Sequence, residues 1–154
     1  MIAWRITQKQ FADPPLNGLG GLFASGRWHS RGQQIIYMAE SQSLAILESL
    51  VHYDPANAPI EQVIISADIA AVSLLTATDI GLDNNDIRGM HAHDLRALGD
   101  NWLKQKTSCV LKVPSIITPF DEYNYLINPL HQDFAKIKEI KLTDFRFDKR
   151  LLRS

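Results

Sequence analysis

The sequence predicts an α+β fold. Two observations lead there: apolar segments of strand length recur along the chain, and only two stretches, 42–52 and 91–106, sustain a helical period. The length sets the scale, because 154 residues form one domain, expected to span 1–154, with a core that needs no disulfide or metal to hold it.

In chain order, Ala3 to Thr7 reads as a first strand. Residues 13–21 read as a loop, punctuated by Asp13-Pro14-Pro15 and Gly20-Gly21, and a long irregular segment of this kind is more often functional than idle. Gln34 to Ala39 is a strand, and Ser41 is a fitting N-cap for a helix from Gln42 to His52 that ends before Asp54-Pro55. Ile60 to Ile69 reads as a central strand and Val72 to Leu75 as a shorter one. Residues 80–89 contain Asp83-Asn84-Asn85-Asp86, which lacks the ligand spacing and closing glutamate of a calcium loop and reads as a solvated loop. His91 to Lys106 places Leu95, Leu98 and Trp102 on one helical face. Strands follow at Cys109–Val113, Ile116–Thr118 and Tyr125–Ile127, then a short helix near His131 to Ala135. Ile137–Leu142 and Phe145–Phe147 close a sheet.

Composition excludes several classes. Sixteen basic against 17 acidic residues give no electrostatic reason to expect nucleic acid or an anionic membrane as partner. No apolar stretch approaches the length of a bilayer span, and the first residues lack the pattern of a signal peptide, so the expected location is the cytoplasm. The single cysteine, Cys109, fits a reducing compartment and sits in an apolar run, where it reads as an inert core thiol. No metal is expected. His91 and His93 stand two apart and cannot share a helix face as an i, i+4 pair would.

The chemistry concentrates in Gly26-Arg27-Trp28-His29-Ser30-Arg31-Gly32 and the strand and helix after it. The Arg27 guanidinium can fork two hydrogen bonds to a phosphate or carboxylate beside the aromatic plane of Trp28; a turn arginine paired to a nearby acid is the plainer alternative. Arg31 is a second cation, solvated or phosphate-binding. Glu48 falls at the edge of the apolar arc formed by Leu44, Ile46, Leu47, Leu50 and Val51, half-buried, so it needs a partner. That partner is water, a core arginine such as Arg5, or a ligand at a pocket mouth. Tyr37 ends its strand as a boundary tyrosine or as a pocket wall. Ser115, after Pro114, is a turn hydroxyl on its own terms, and Asn128 belongs to a turn. His52 suits the C-terminal end of its helix.

Trp4-Arg5-Ile6, Gly20-Gly21, Ser25-Gly26-Arg27-Trp28-His29, Ile36-Tyr37, Ala45-Ile46-Leu47-Glu48-Ser49-Leu50-Val51-His52, Val113-Pro114-Ser115 and Asn124-Tyr125-Leu126-Ile127-Asn128-Pro129-Leu130-His131 together resemble the RES domain, over nearly the whole chain. The resemblance implies an ADP-ribosyltransferase-like fold: a split pair of packed β-sheets with two main flanking helices and a dinucleotide cleft between them. It implies NAD as substrate, with Arg27, Tyr37 and Glu48 as catalytic residues and Arg27, Trp28, His29, Arg31, Ser115 and Asn128 as substrate-binding ones. Nicotinamide leaves as a neutral molecule, so such an enzyme chiefly orients the dinucleotide and supports an oxocarbenium-like ribose. The implied function is a toxin that degrades NAD, with water or inorganic phosphate as acceptor; transfer of ADP-ribose to a protein, and a catalytically silent binding module, are the alternatives. The implied partner is a cognate antitoxin with an Xre-like helix-turn-helix part, in a complex that can be oligomeric. Two departures stand out: His29 where family members often have asparagine, and local variants at 9–10 and 17–19.

Overall fold

The computed structural model describes residues 1–57 and 61–152. Its strands are β1 (Ile2–Gln8), β2 (Ile36–Ala39), β3 (Gln62–Asp68), β4 (Leu74–Thr76), β5 (Val110–Pro114), β6 (Tyr123–Ile127) and β7 (Lys138–Phe145). The helices are α1 (Gly20–Phe23), α2 (Gln42–Val51), α3 (Asn84–Gly89) and α4 (Ala92–Gln105), with short 3-10 turns between elements. This is the α+β fold expected, a seven-stranded mixed sheet flanked by helices, of which α2 and α4 are the two long ones.

The sheet order is β4-β5-β6-β2-β1-β3-β7. Every pairing is antiparallel except β4 with β5. β1 pairs with β3 along its whole length, yet it meets β2 only at Trp4 and Ala39. The sheet is therefore split at that seam into a four-stranded half and a three-stranded half. Strand pairing at the seam leaves carbonyls to satisfy, and Arg5 Nη1 donates to the Tyr37 carbonyl at 2.9 Å. Arg5 serves the backbone, not Glu48.

Side chains alternate across the strands and build two faces. On one, Ala3, Ile36, Met38, Val63, Ile65, Ala67, Val110, Tyr125 and Ile127 join a core closed by Leu16, Ile137 and the loops around them. On the other, Leu111, Val113 and Leu126 pack with Trp28, Ile87, Leu95, Trp102 and Leu103 under α4 and α3, while Ala39 packs with Leu44 and Ala45 of α2, flanked by Trp4 and Ile6. Two separate helical covers on one face leave a trench between them.

Local chemistry explains most element ends. Ser41 Oγ accepts the Leu44 N–H at 3.1 Å, the N-cap expected for α2, and His52 is its C-cap. The Trp102 indole donates to Ser108 Oγ at 2.9 Å, which lets α4 bury a polar aromatic without an orphan donor. Cys109 is fully buried and burial pushes its thiol up to about 11, as an inert thiol requires.

Three sequence expectations are corrected. Residues 80–89 are not a solvated loop throughout: Asp83 Oδ1 accepts the Asn85 N–H at 2.7 Å and caps α3, whose Ile87 is fully buried. Its acidic cluster is a helix start. Ile116–Thr118 is not a strand, because the Ile117 N–H turns back to Ser115 Oγ at 3.2 Å and the Thr118 carbonyl takes the Arg88 guanidinium. The two segments expected at 137–147 are one edge strand, β7. The start of the expected 60–69 strand, Ile60, lies outside the described residues. No described helix is long and apolar enough to cross a membrane.

Candidate active site

The trench is a cleft of about 550 Å³ whose floor is Tyr37, Ala39, Val113, Asn124 and Leu126, with Glu48 on the α2 wall and Arg27 on the opposite turn. The strand registers Ala39–Asn124, Tyr37–Leu126 and Val113–Asn124 bring these floor residues side by side. The cleft straddles the seam, since Trp4, Arg5 and Ile6 also line it.

Glu48 is held from below. Asn124 Nδ2 donates to Glu48 Oε1 at 2.6 Å, and Ser115 Oγ donates to the same oxygen at 3.0 Å. Ser115 also accepts the Ile117 N–H, so its hydroxyl hydrogen has one fixed direction. Both bonds fall on Oε1, which leaves Oε2 for another partner. Ser115, expected as a phosphate or ribose contact, is fully buried behind the carboxylate and orients it instead.

Arg27 is half-buried, and its Nη2 donates to the Ile87 carbonyl at 3.3 Å while Nε has no acceptor among the described residues. Burial lowers its pKa and the Glu48 charge across the cleft opposes that shift. A cation this incompletely satisfied has donors free to take an anion. Replacing Arg27 with alanine is expected to raise the apparent KM for an anionic substrate by about 10- to 100-fold, the loss of one or two charge-assisted bonds, while circular dichroism and the thermal midpoint stay near parental values. A variant that keeps parental KM removes Arg27 from substrate capture.

The turn that presents Arg27 is built tightly. His29 Nε2 lies 2.9 Å from the Ala24 carbonyl, which only accepts, so Nε2 bears the hydrogen. Nδ1 is then bare and accepts the Tyr37 hydroxyl at 2.7 Å, while the Tyr37 oxygen accepts the Trp28 N–H at 3.2 Å. Gly26 is required here, because a Cβ on it would lie 2.6 Å from the His29 ring and 2.8 Å from the Tyr37 hydroxyl. Gly26 therefore lets the backbone approach this pair closely. Burial raises the Tyr37 pKa well above its ordinary value, so the phenol stays protonated at neutral pH.

Three residues of α4 at i, i+3 and i+4 clamp the same turn, a feature that the sequence reading missed. Arg96 Nε donates to the Gly26 carbonyl at 3.1 Å, and Asp100 Oδ1 accepts the Ser30 N–H at 2.9 Å. Gly99 between them lies directly against the Trp28 carbonyl. A glycine inside a strong helical period, costing about 1 kcal/mol against alanine, was the available signal.

The remaining expected site residues distribute unevenly. Trp28 lines the cleft with its ring in the core beneath α4. His29 is buried behind the turn and Arg31 is exposed away from the cleft lining. Asn128 lies beyond the far end of β6, its amide occupied by the Leu103 carbonyl and the Leu130 N–H. Asn124, four residues earlier, is the asparagine at the site. No group of three or more His, Cys, Asp or Glu among the described residues is arranged to hold a metal.

The chain is similar over nearly its whole length to known proteins. The RES domain model matches residues 2–149. A Toxin Res of Pseudomonas putida is 36% identical over 156 residues, covering 98% of this chain and 99% of the relative. A Toxin Res of Photorhabdus laumondii is 32% identical over 157 residues, covering 100% and 99%. A Prs ADP-ribosylating toxin of a Sphingobium species is 30% identical over 156 residues, covering 97% and 96%. With the family model and full-length relatives in agreement, this chain belongs to the RES domain family.

Proposed function

We propose that this protein is a toxin that consumes NAD in the cytoplasm, cleaving the nicotinamide–ribose bond with water or inorganic phosphate as acceptor. The observation that supports this best is an arginine and a buttressed glutamate on opposite walls of one cleft. The Arg27 guanidinium holds the pyrophosphate. Glu48 Oε2 meets the ribose, where its charge stabilises the positive charge that develops as nicotinamide departs. The Tyr37 ring forms the floor between them, and no proton need be delivered to the leaving group. Incubating the purified protein with NAD, with and without phosphate, and identifying the products tests this. Free nicotinamide with ADP-ribose, or with a phosphorylated ADP-ribose, is expected; intact NAD refutes the reading.

The name of the Sphingobium relative favours a second reading, transfer of ADP-ribose to a protein. Labelled NAD separates the two, because label would then remain on a polypeptide.

An unrestrained NAD consumer harms its own cell, so a cognate antitoxin, with an Xre-like DNA-binding part, belongs to the proposal. Val51 and Ile116 are exposed and line the same cleft as the Arg27 cation. An apolar rim around a cationic recess suits a protein segment that carries a carboxylate. Coexpression is expected to give an inactive complex in which NAD competes with the partner. A complex with undiminished turnover would show that silencing works elsewhere.

A further inference from the structure

We propose that His29, as its neutral Nε2–H tautomer, is the positioning residue that sets Arg27 for anion binding, and that a proton gained at Nδ1 releases the turn. This rests on the reading of Arg27 as the anchor for the substrate's phosphates. The position matters because His29 stands where the resemblance leads one to expect a residue that does not titrate.

The Tyr37 hydroxyl has one hydrogen, given to His29 Nδ1 at 2.7 Å, and its oxygen receives the Trp28 N–H at 3.2 Å. The other ring nitrogen is committed to the Ala24 carbonyl. Each atom in the chain from Ala24 through His29 and Tyr37 to Trp28 therefore has a fixed donor or acceptor role, and Trp28 directly follows Arg27. The His29 carbonyl closes the turn by accepting the Gly26 N–H at 3.0 Å. A proton on Nδ1 turns the one acceptor facing Tyr37 into a donor. The hydroxyl hydrogen must then turn out of the bond and gives up its acceptor, or the ring must shift, and either change loosens the hold of Tyr37 on the Trp28 N–H. Room for adjustment is small, since Gly26 stands where even a methyl group would strike the His29 ring and the Tyr37 hydroxyl.

The charged groups around the ring set when this happens. Burial lowers the imidazole pKa; the Ala24 bond and Asp100 of α4 oppose that, and Arg96 of the same helix reinforces it. Tyr37 of β2 faces the ring neutral, with Arg5 beyond it at the seam. The unfolded chain accepts a proton that the folded ring resists. The stability due to this group is therefore complete above the ordinary histidine value of about 6.5 and is lost as pH falls below it.

The test combines an observation on the protein alone with one on turnover. Nitrogen-15 spectra of the imidazole at about pH 7.5 should show hydrogen on Nε2 and none on Nδ1, and on acidification the Trp28 amide should shift with the same midpoint as the ring. Below the midpoint of the ring the apparent KM for NAD should rise about tenfold per pH unit with kcat changing less, as for loss of positioning by a single proton. His29→Asn, whose amide offers an acceptor and a donor but does not titrate, should hold KM within about twofold over that range. A hydrogen on Nδ1 at neutral pH, a Trp28 amide that ignores the ring, or His29→Asn with the parental pH dependence overturns the proposal. If His29→Asn does not fold, the parental ring and amide titrations decide. Absence of NAD turnover at any pH refutes the NAD reading separately, because the spectra need no substrate.

Discussion

Replacing Glu48 with glutamine is expected to lower NAD turnover by about 100- to 1,000-fold, the usual effect of deleting one group aimed at transition-state charge, while the thermal midpoint stays close to the parental value. The geometry separates charge from packing unusually well at this site. Glu48 Oε1 accepts from both Asn124 Nδ2 and Ser115 Oγ. A glutamine carbonyl accepts the same two bonds, and the reverse orientation would set its NH₂ against the Asn124 NH₂. The amide is therefore held carbonyl-down, with a neutral donor where Oε2 was. Volume, rotamer and support all persist; only the negative charge on the cleft side is gone. The effect should fall on kcat more than on KM, because in the proposed reaction that charge acts when the ribose becomes cationic. An unchanged kcat would make Glu48 a packing residue whose bonds to β6 and Ser115 are its whole purpose.

What the sequence disclosed follows from how local each feature is. The α2 helix was legible because an apolar arc and the Ser41 cap lie within a dozen residues, and β3 because Val63-Ile64-Ile65 is a short β-branched apolar run. Both signals are short-range. By contrast α3 buries little beyond Ile87, too few apolar positions to set a period, and its capping Asp83 imitated a solvated acidic turn. β7 is an edge strand exposed along nearly all its length, so no inside–outside alternation marks it as one element.

The same rule divides the site. Arg27 and Glu48 could be singled out because a turn and a helix edge are visible locally. Their supporting contacts could not: Ser115, named for another role, and Asn124 meet Glu48 across 67 and 76 residues, and Arg96 and Asp100 each meet the Arg27 turn across 70. The choice of Asn128 over Asn124 shows the limit sharply. Four strand residues keep the side of the sheet but advance about 13 Å, enough to move an amide from the cleft to the opposite end of β6. The seam between β1 and β2 is likewise a matter of which long-range pairs are missing, and local pattern says nothing about missing pairs.

Gly99→Ala is expected to be the most damaging small substitution in the chain. In an ordinary helix interior the change stabilises, by about 1 kcal/mol. Here the added Cβ would sit 1.7 Å from the Trp28 carbonyl oxygen, 2.7 Å from its carbon and 3.3 Å from its Cα. These are backbone atoms, so no rotamer change relieves the contact; either α4 or the turn must move. If α4 shifts, Leu95, Trp102 and Leu103 lose their packing beneath it and stability falls by about 3 kcal/mol, the upper part of the usual overpacking range. If the turn lifts instead, the Arg96 bond to Gly26 and the Asp100 bond to Ser30 break together, and Arg27 is displaced from the cleft. A displacement of about 1 Å is enough to cost 100-fold in rate. Thermal unfolding and NAD turnover on the one variant distinguish the two routes, since the first lowers the midpoint and the second lowers activity at a nearly parental midpoint. Gly89→Ala is the control, because a Cβ there meets nothing within 4 Å, and it should alter neither measurement. A Gly99→Ala protein as stable and as active as its parent would mean that α4 does not hold the Arg27 turn.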